Sequence, residues 1–183
     1  MTKRPDFDFL IYTKTHSDCR KSCELHNPGV WNDEPDRIDF IEPTTGYRCL
    51  LNRNASGSWC GYVFFPADEE YTTGMDTMKK AIDANTHFRR FADSLTVHGG
   101  ATYSKMLIRV DQALIDADVE NSFDGHIMPL EFDPNEVLSA VGFDCSHAWD
   151  YMPYVQAALT ESGAEPSKTF EKCIYRDMNY AYE

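Results

Sequence analysis

The chain has 183 residues, 42% of them apolar and 13% aromatic, a globular composition long enough to bury a core without disulfide staples. Its formal net charge of -13, from 30 acidic and 17 basic side chains, argues against non-specific nucleic-acid binding, which needs clustered Lys and Arg. No run approaches the roughly 18 apolar residues of a membrane span, and the start Met1-Thr2-Lys3-Arg4-Pro5-Asp6-Phe7-Asp8 lacks the apolar core of a secretion signal, so we expect a cytoplasmic protein with no membrane partner and reduced cysteines.

Phe7-Asp8-Phe9-Leu10-Ile11-Tyr12 alternates as an opening strand does, and Ser17 begins a helical segment that Asn27-Pro28-Gly29 ends. Arg37–Ile41 reads as a second strand. The best hairpin signal follows: Tyr47–Leu51 and Trp59–Phe65 flank Asn52-Arg53-Asn54-Ala55-Ser56-Gly57, and Pro66 stops the second arm. Within it Asn54-Ala55-Ser56 fits a glycosylation sequon, which in a cytoplasmic protein is only a turn. Thr77 to Phe91 is loosely helical, Leu95-Thr96-Val97 reads as a strand end, and Met106–Val110 and Ala140–Phe143 as buried strands. Tyr154 to Leu159 forms a helix closed by Ser162-Gly163, while the periodicity of Phe170 to Tyr182 fits a helix and a strand equally. The sum is an α+β fold, one domain with a mainly antiparallel sheet and helices packed against it.

Two stretches concentrate reactive groups. In Val97-His98-Gly99-Gly100-Ala101-Thr102-Tyr103-Ser104 the paired glycines permit positive φ and close approach of a ligand, His98 can bind a proton or a metal, and Thr102, Tyr103 and Lys105 add donors. Exposed amides of Gly99 and Gly100 with these groups would form an anion nest, although the Walker spacing is absent; the plainer alternative is a glycine bulge with His98 packing locally. In Gly142-Phe143-Asp144-Cys145-Ser146-His147-Ala148-Trp149-Asp150, a loop after an apolar run gathers Asp144, Cys145, His147 and Asp150.

Four readings compete for this pair of stretches. A thiol hydrolase would use Cys145 as nucleophile with His147 or His98 as base and an aspartate such as Asp144 as orienter. A metal hydrolase would ligate through His98, Asp144, His147 and Asp150, and a binding protein would hold polar ligand atoms with Trp149 or Tyr103 stacked on a ring. In the fourth, Asp144 is a cap and Cys145 a buried small hydrophobe. His16, Cys19, Cys23 and His26 form a further stripe at helical spacing, but four ligands along one straight helix cannot enclose a tetrahedral ion, so an amphipathic face is the expectation and no resident cofactor or metal is assigned.

The hairpin from Gly46-Tyr47-Arg48-Cys49-Leu50-Leu51 to Trp59-Cys60-Gly61-Tyr62-Val63, then Val97-His98-Gly99-Gly100, then Gly142-Phe143-Asp144-Cys145-Ser146-His147 and Tyr175-Arg176-Asp177 together resemble a family of small uncharacterised bacteriophage and prophage proteins. The likeness covers 46–183 and leaves 1–45 as an N-terminal extension of the domain. Trp149 stands where the family pattern has glycine, which would narrow a pocket there. The resemblance implies a viral or prophage origin, and hence the cytoplasm of an infected bacterium. A small acidic protein of that kind is expected to counter host defence by sequestering a nucleotide-derived signal, with Trp59, Tyr62, Tyr103 or Trp149 stacking on the base and Arg48, Arg53, Lys105 or Arg176 holding phosphate or ribose. The alternatives are a hydrolase acting on such a ligand and an acidic mimic of DNA. A homo-oligomer is compatible with a ligand sponge.

Overall fold

A computed structural model describes residues 11–13, 17–66, 89–109, 137–165 and 170–182. Its strands are β1 (Ile11–Thr13), β2 (Arg37–Ile41), β3 (Arg48–Arg53), β4 (Trp59–Pro66), β5 (Tyr103–Arg109) and β6 (Val137–Asp144), with helices α1 (Ser17–His26), α2 (Pro153–Glu161) and α3 (Met178–Tyr182). The described strands form a sheet in the order β1-β2-β3-β4-β6-β5. β1 runs antiparallel to β2 with Tyr12 opposite Ile38, and β5 antiparallel to β6 with Tyr103 opposite Gly142. The fold class is therefore the expected α+β with an antiparallel sheet. No helix among the described residues is long and apolar enough to cross a membrane.

The chain groups into two compact units, one of Met1–Phe40, Leu51–Gly61 and Asp144–Glu183, the other of Ile41–Leu50 and Tyr62–Phe143. In the first, α1 ends at His26, where the expected Asn27-Pro28-Gly29 breaker begins, and the Asn27 amide turns back onto the Cys23 carbonyl at 2.9 Å. Its buried face lies on α2: Cys23 is fully buried with Tyr154 and Ala157, and Trp31 packs on them. The metal stripe dissolves in this packing, because the Cys23 thiol faces the carbonyls of Asn27 and Pro153 while Cys19 is exposed; His16 lies outside the described residues. Gly57, at φ +82° in the hairpin turn, would carry a Cβ 2.9 Å from the Tyr154 ring, so both its conformation and its space exclude a side chain.

In the second unit Tyr62 meets Tyr103 edge-on at 5.5 Å, and Tyr47, Phe65 and Phe91 form a chain of edge contacts at 4.9 and 6.4 Å. Residues 89–94 are helical, but Leu95-Thr96-Val97 is irregular. The first glycine motif thus follows a helix end and not the expected strand. The rest of the expected helix from Thr77 and most of the opening strand from Phe7 lie outside the described residues. Phe170 to Tyr182 is neither of its two expected forms: it is a 3-10 turn at Phe170–Lys172, a single parallel bridge at Ile174 and then α3.

Candidate functional site

The second motif begins where β6 ends. Asp144 accepts the Ser146 amide on its carboxylate at 2.9 Å, the side-chain turn that aspartate favours at a strand end. Cys145 lies between, its amide donated to the Trp59 carbonyl at 2.8 Å. The Ser146 hydroxyl accepts from Asn54 Nδ2 at 2.8 Å, and Asn54 Oδ1 in turn accepts the amides of Ser56 and Ser58 at 3.0 and 3.2 Å. One asparagine thus organises the hairpin turn and ties it to the loop, which is why Asn54-Ala55-Ser56 folds as a turn.

Beyond Ser146 the chain makes a tight turn, closed by the Asp150 amide on the His147 carbonyl at 2.9 Å. The Asp150 carboxylate, only 2% exposed, is the turn's internal anchor. Its Oδ2 accepts the His147 amide at 3.0 Å and lies 3.4 Å from His147 Nδ1, while its Oδ1 accepts Arg176 Nε at 3.1 Å. A segment from near the C-terminus runs alongside: Ile174 donates to the Trp149 carbonyl and accepts from the Tyr151 amide, both at 2.9 Å. The Arg176 guanidinium lies 4.6 Å over the Tyr180 ring. Trp149 at the turn's apex is 63% exposed, and Ile174 beside it 56%.

Two sequence expectations fail on this geometry. Cys145 is buried, and burial, followed by the nearby Asp150 and Asp144 carboxylates, pushes its thiol up to about 12. A nucleophilic cysteine needs the opposite, a depressed pKa and an accessible sulfur, so Cys145 is a packed small hydrophobe. Native protein treated with iodoacetamide at pH 7.5 should be alkylated at exposed Cys19 and not at Cys145 until denaturant is added, a pattern that peptide mass mapping reads directly. A thiol whose folded pKa lies above its unfolded value of about 9 stabilises the fold at lower pH and loses that contribution as pH rises toward 12.

Arg53 is the second correction. It is fully buried, and its donors go to the carbonyls of Pro35, Gly57 and Trp31, to Glu34 Oε2 at 2.5 Å and to the Tyr175 hydroxyl at 2.8 Å. Its guanidinium lies 4.9 Å over the Trp59 ring. Neither Arg53 nor fully buried Trp59 can meet a ligand. Asp36, equally buried, takes Arg20 at 2.8 Å and the Tyr154 hydroxyl at 3.1 Å. Sequence reasoning missed Glu34, Asp36 and Arg20, because nothing local in Asp33-Glu34-Pro35-Asp36 tells the buried Asp36 from the exposed Asp33.

In the second unit, the first motif forms a turn in which Gly99 and Gly100 take φ of +67° and +85°, as paired glycines after His98 lead one to expect. The Gly100 amide, however, closes that turn onto the Val97 carbonyl at 3.0 Å, so it is not available to the anion nest. Tyr103 enters β5, Thr102 is exposed, and Arg89 reaches the Ser104 hydroxyl at 3.3 Å. Arg48 lies half-buried in β3, and the side chain of Lys105 lies outside the described residues. His98 is half-exposed in this second unit, whereas Asp144, Cys145 and His147 belong to the first. No protein-family model, curated protein or solved structure matches the chain.

Proposed function

We propose that the chain binds a small nucleotide-like ligand at the 147–150 turn and the 174–180 segment beside it. Trp149 carries this reading. Turn apices usually hold small polar residues, and an indole left in water forgoes roughly 2 kcal/mol of burial, yet here the backbone on either side of Trp149 is fixed by hydrogen bonds. A rigid, exposed π face suits a stacked base, which contributes about 1–3 kcal/mol. Arg176 supplies the complementary charge. Its Nε is fixed by Asp150 and its face by Tyr180, while Nη1 and Nη2 have no partner among the described residues, leaving two NH2 groups to donate to phosphate oxygens. With the resemblance to phage proteins, this supports sequestration of a nucleotide-derived signal as the biological role.

Calorimetry with AMP, cyclic AMP and ADP-ribose is the test. At least one should bind and quench Trp149 fluorescence, and Trp149→Ala should weaken it at least tenfold; a panel without binding overturns the reading. The His147–Asp150 pair favours a second reading, a hydrolase. A carboxylate beside imidazole Nδ1 orients a general base, so His147 is the residue to which that activity would be assigned. Recovery of the bound nucleotide intact after prolonged incubation decides for the binder, and its conversion for the hydrolase.

A further inference from the structure

We propose that Glu34, remote in sequence from the site, is its positioning residue and acts through the C-terminal segment. Glu34 Oε2 accepts the Tyr175 hydroxyl at 2.5 Å, and Oε1 accepts the Met178 amide at 3.1 Å. The two contacts bracket Arg176 on both sides. The carboxylate is itself held by Arg53 at 2.5 Å and by the Trp59 indole at 3.0 Å, two side chains that are fully buried and cannot yield. Arg176 is therefore presented to Asp150 from a fixed base, and Asp150 in turn holds the His147 amide. The chain of contacts runs Glu34, Tyr175 and Met178, Arg176, Asp150, His147. Each link is a hydrogen bond to a carboxylate or a step of one or two residues along the chain, contacts whose geometry is closely constrained.

The ligand consequence rests on the binding reading above, but the positioning itself is testable without a ligand. Tyr175→Phe removes one hydroxyl and leaves Glu34 with Arg53, Trp59 and Met178. By hydrogen exchange, the His147 amide should exchange about tenfold faster, while the Gln156 amide of α2 and the Ser162 amide that caps its end stay at the wild-type rate. Arg176→Lys, which keeps the charge and leaves the Glu34 cluster intact but has no Nε–H, should give the same local rise and keeps the question open to decision if the first variant folds poorly. In parallel, ADP-ribose affinity should fall about tenfold in Tyr175→Phe. An unchanged His147 amide, or a rise shared equally by α2, overturns the proposal. Loss of ADP-ribose binding in Trp149→Ala with none in Tyr175→Phe also overturns it while leaving the binding reading intact. If wild-type protein binds no nucleotide, the binding reading alone falls, and the exchange result still decides the role of Glu34.

Discussion

Replacing Arg53 with methionine is expected to lower the thermal midpoint by about 10 °C, the largest effect of any single substitution considered. Methionine nearly matches the aliphatic stem, so little packing volume is lost; what goes is the guanidinium. Three carbonyls lose their donor, and Glu34 and the Tyr175 hydroxyl keep their burial without the opposing charge. Removing one partner of a buried ion pair costs about 3–5 kcal/mol, and a chain of this length shifts by about 2–4 °C per kcal/mol. Arg89→Met is the matched control. Its partner Asp93 lies at 3.0 Å with both side chains more than half exposed, where ion pairs contribute about 0–1 kcal/mol, so its midpoint should move by no more than about 2 °C. The double variant Arg53→Met, Glu34→Gln should be less destabilised than the sum of its single changes, since neither partner is then left as an isolated buried charge. Calorimetric scans of wild type, the three single variants Arg53→Met, Glu34→Gln and Arg89→Met, and the double variant suffice, and an Arg53→Met shift as small as the control's would refute the account of the network.

The contrast between Arg53 and Arg176 shows where sequence reading stops. Both are arginines near aromatics, and both were natural candidates for a phosphate contact. Local pattern carried the hairpin, α1, β2 and α2, because breakers, alternation and turn residues act over a few positions. It also pointed to the loop after β6 as the place where polar groups gather. It could not tell which arginine is buried, because that depends on Glu34 and Tyr175, 141 positions apart, meeting around one guanidinium. The same non-local burial turns Cys145 from a nucleophile candidate into packing. Ile174 shows the opposite error, one of omission: it is placed beside the turn by a single bridge, and such a contact leaves no repeat in the sequence.

Asp150 is the second position where a large effect is expected, and its two oxygens allow a graded test. Asp150→Ala leaves the His147 amide and Arg176 Nε without their buried acceptor, which should cost about 3 kcal/mol and weaken nucleotide binding by more than tenfold as the turn and Arg176 lose their common anchor. Asp150→Asn keeps the shape but has one acceptor oxygen in place of two. That oxygen can serve the His147 amide or Arg176 and not both, and the amide nitrogen then faces the remaining donor. The asparagine variant should accordingly fall between wild type and alanine in urea denaturation, at roughly half the alanine cost. Binding should separate differently from stability: an amide turned toward His147 preserves the turn while freeing Arg176, so affinity should fall nearly as far as in the alanine variant. If asparagine matches wild type in both measurements, the carboxylate's charge contributes nothing to holding Arg176, and Asp150 is not the anchor of the binding turn.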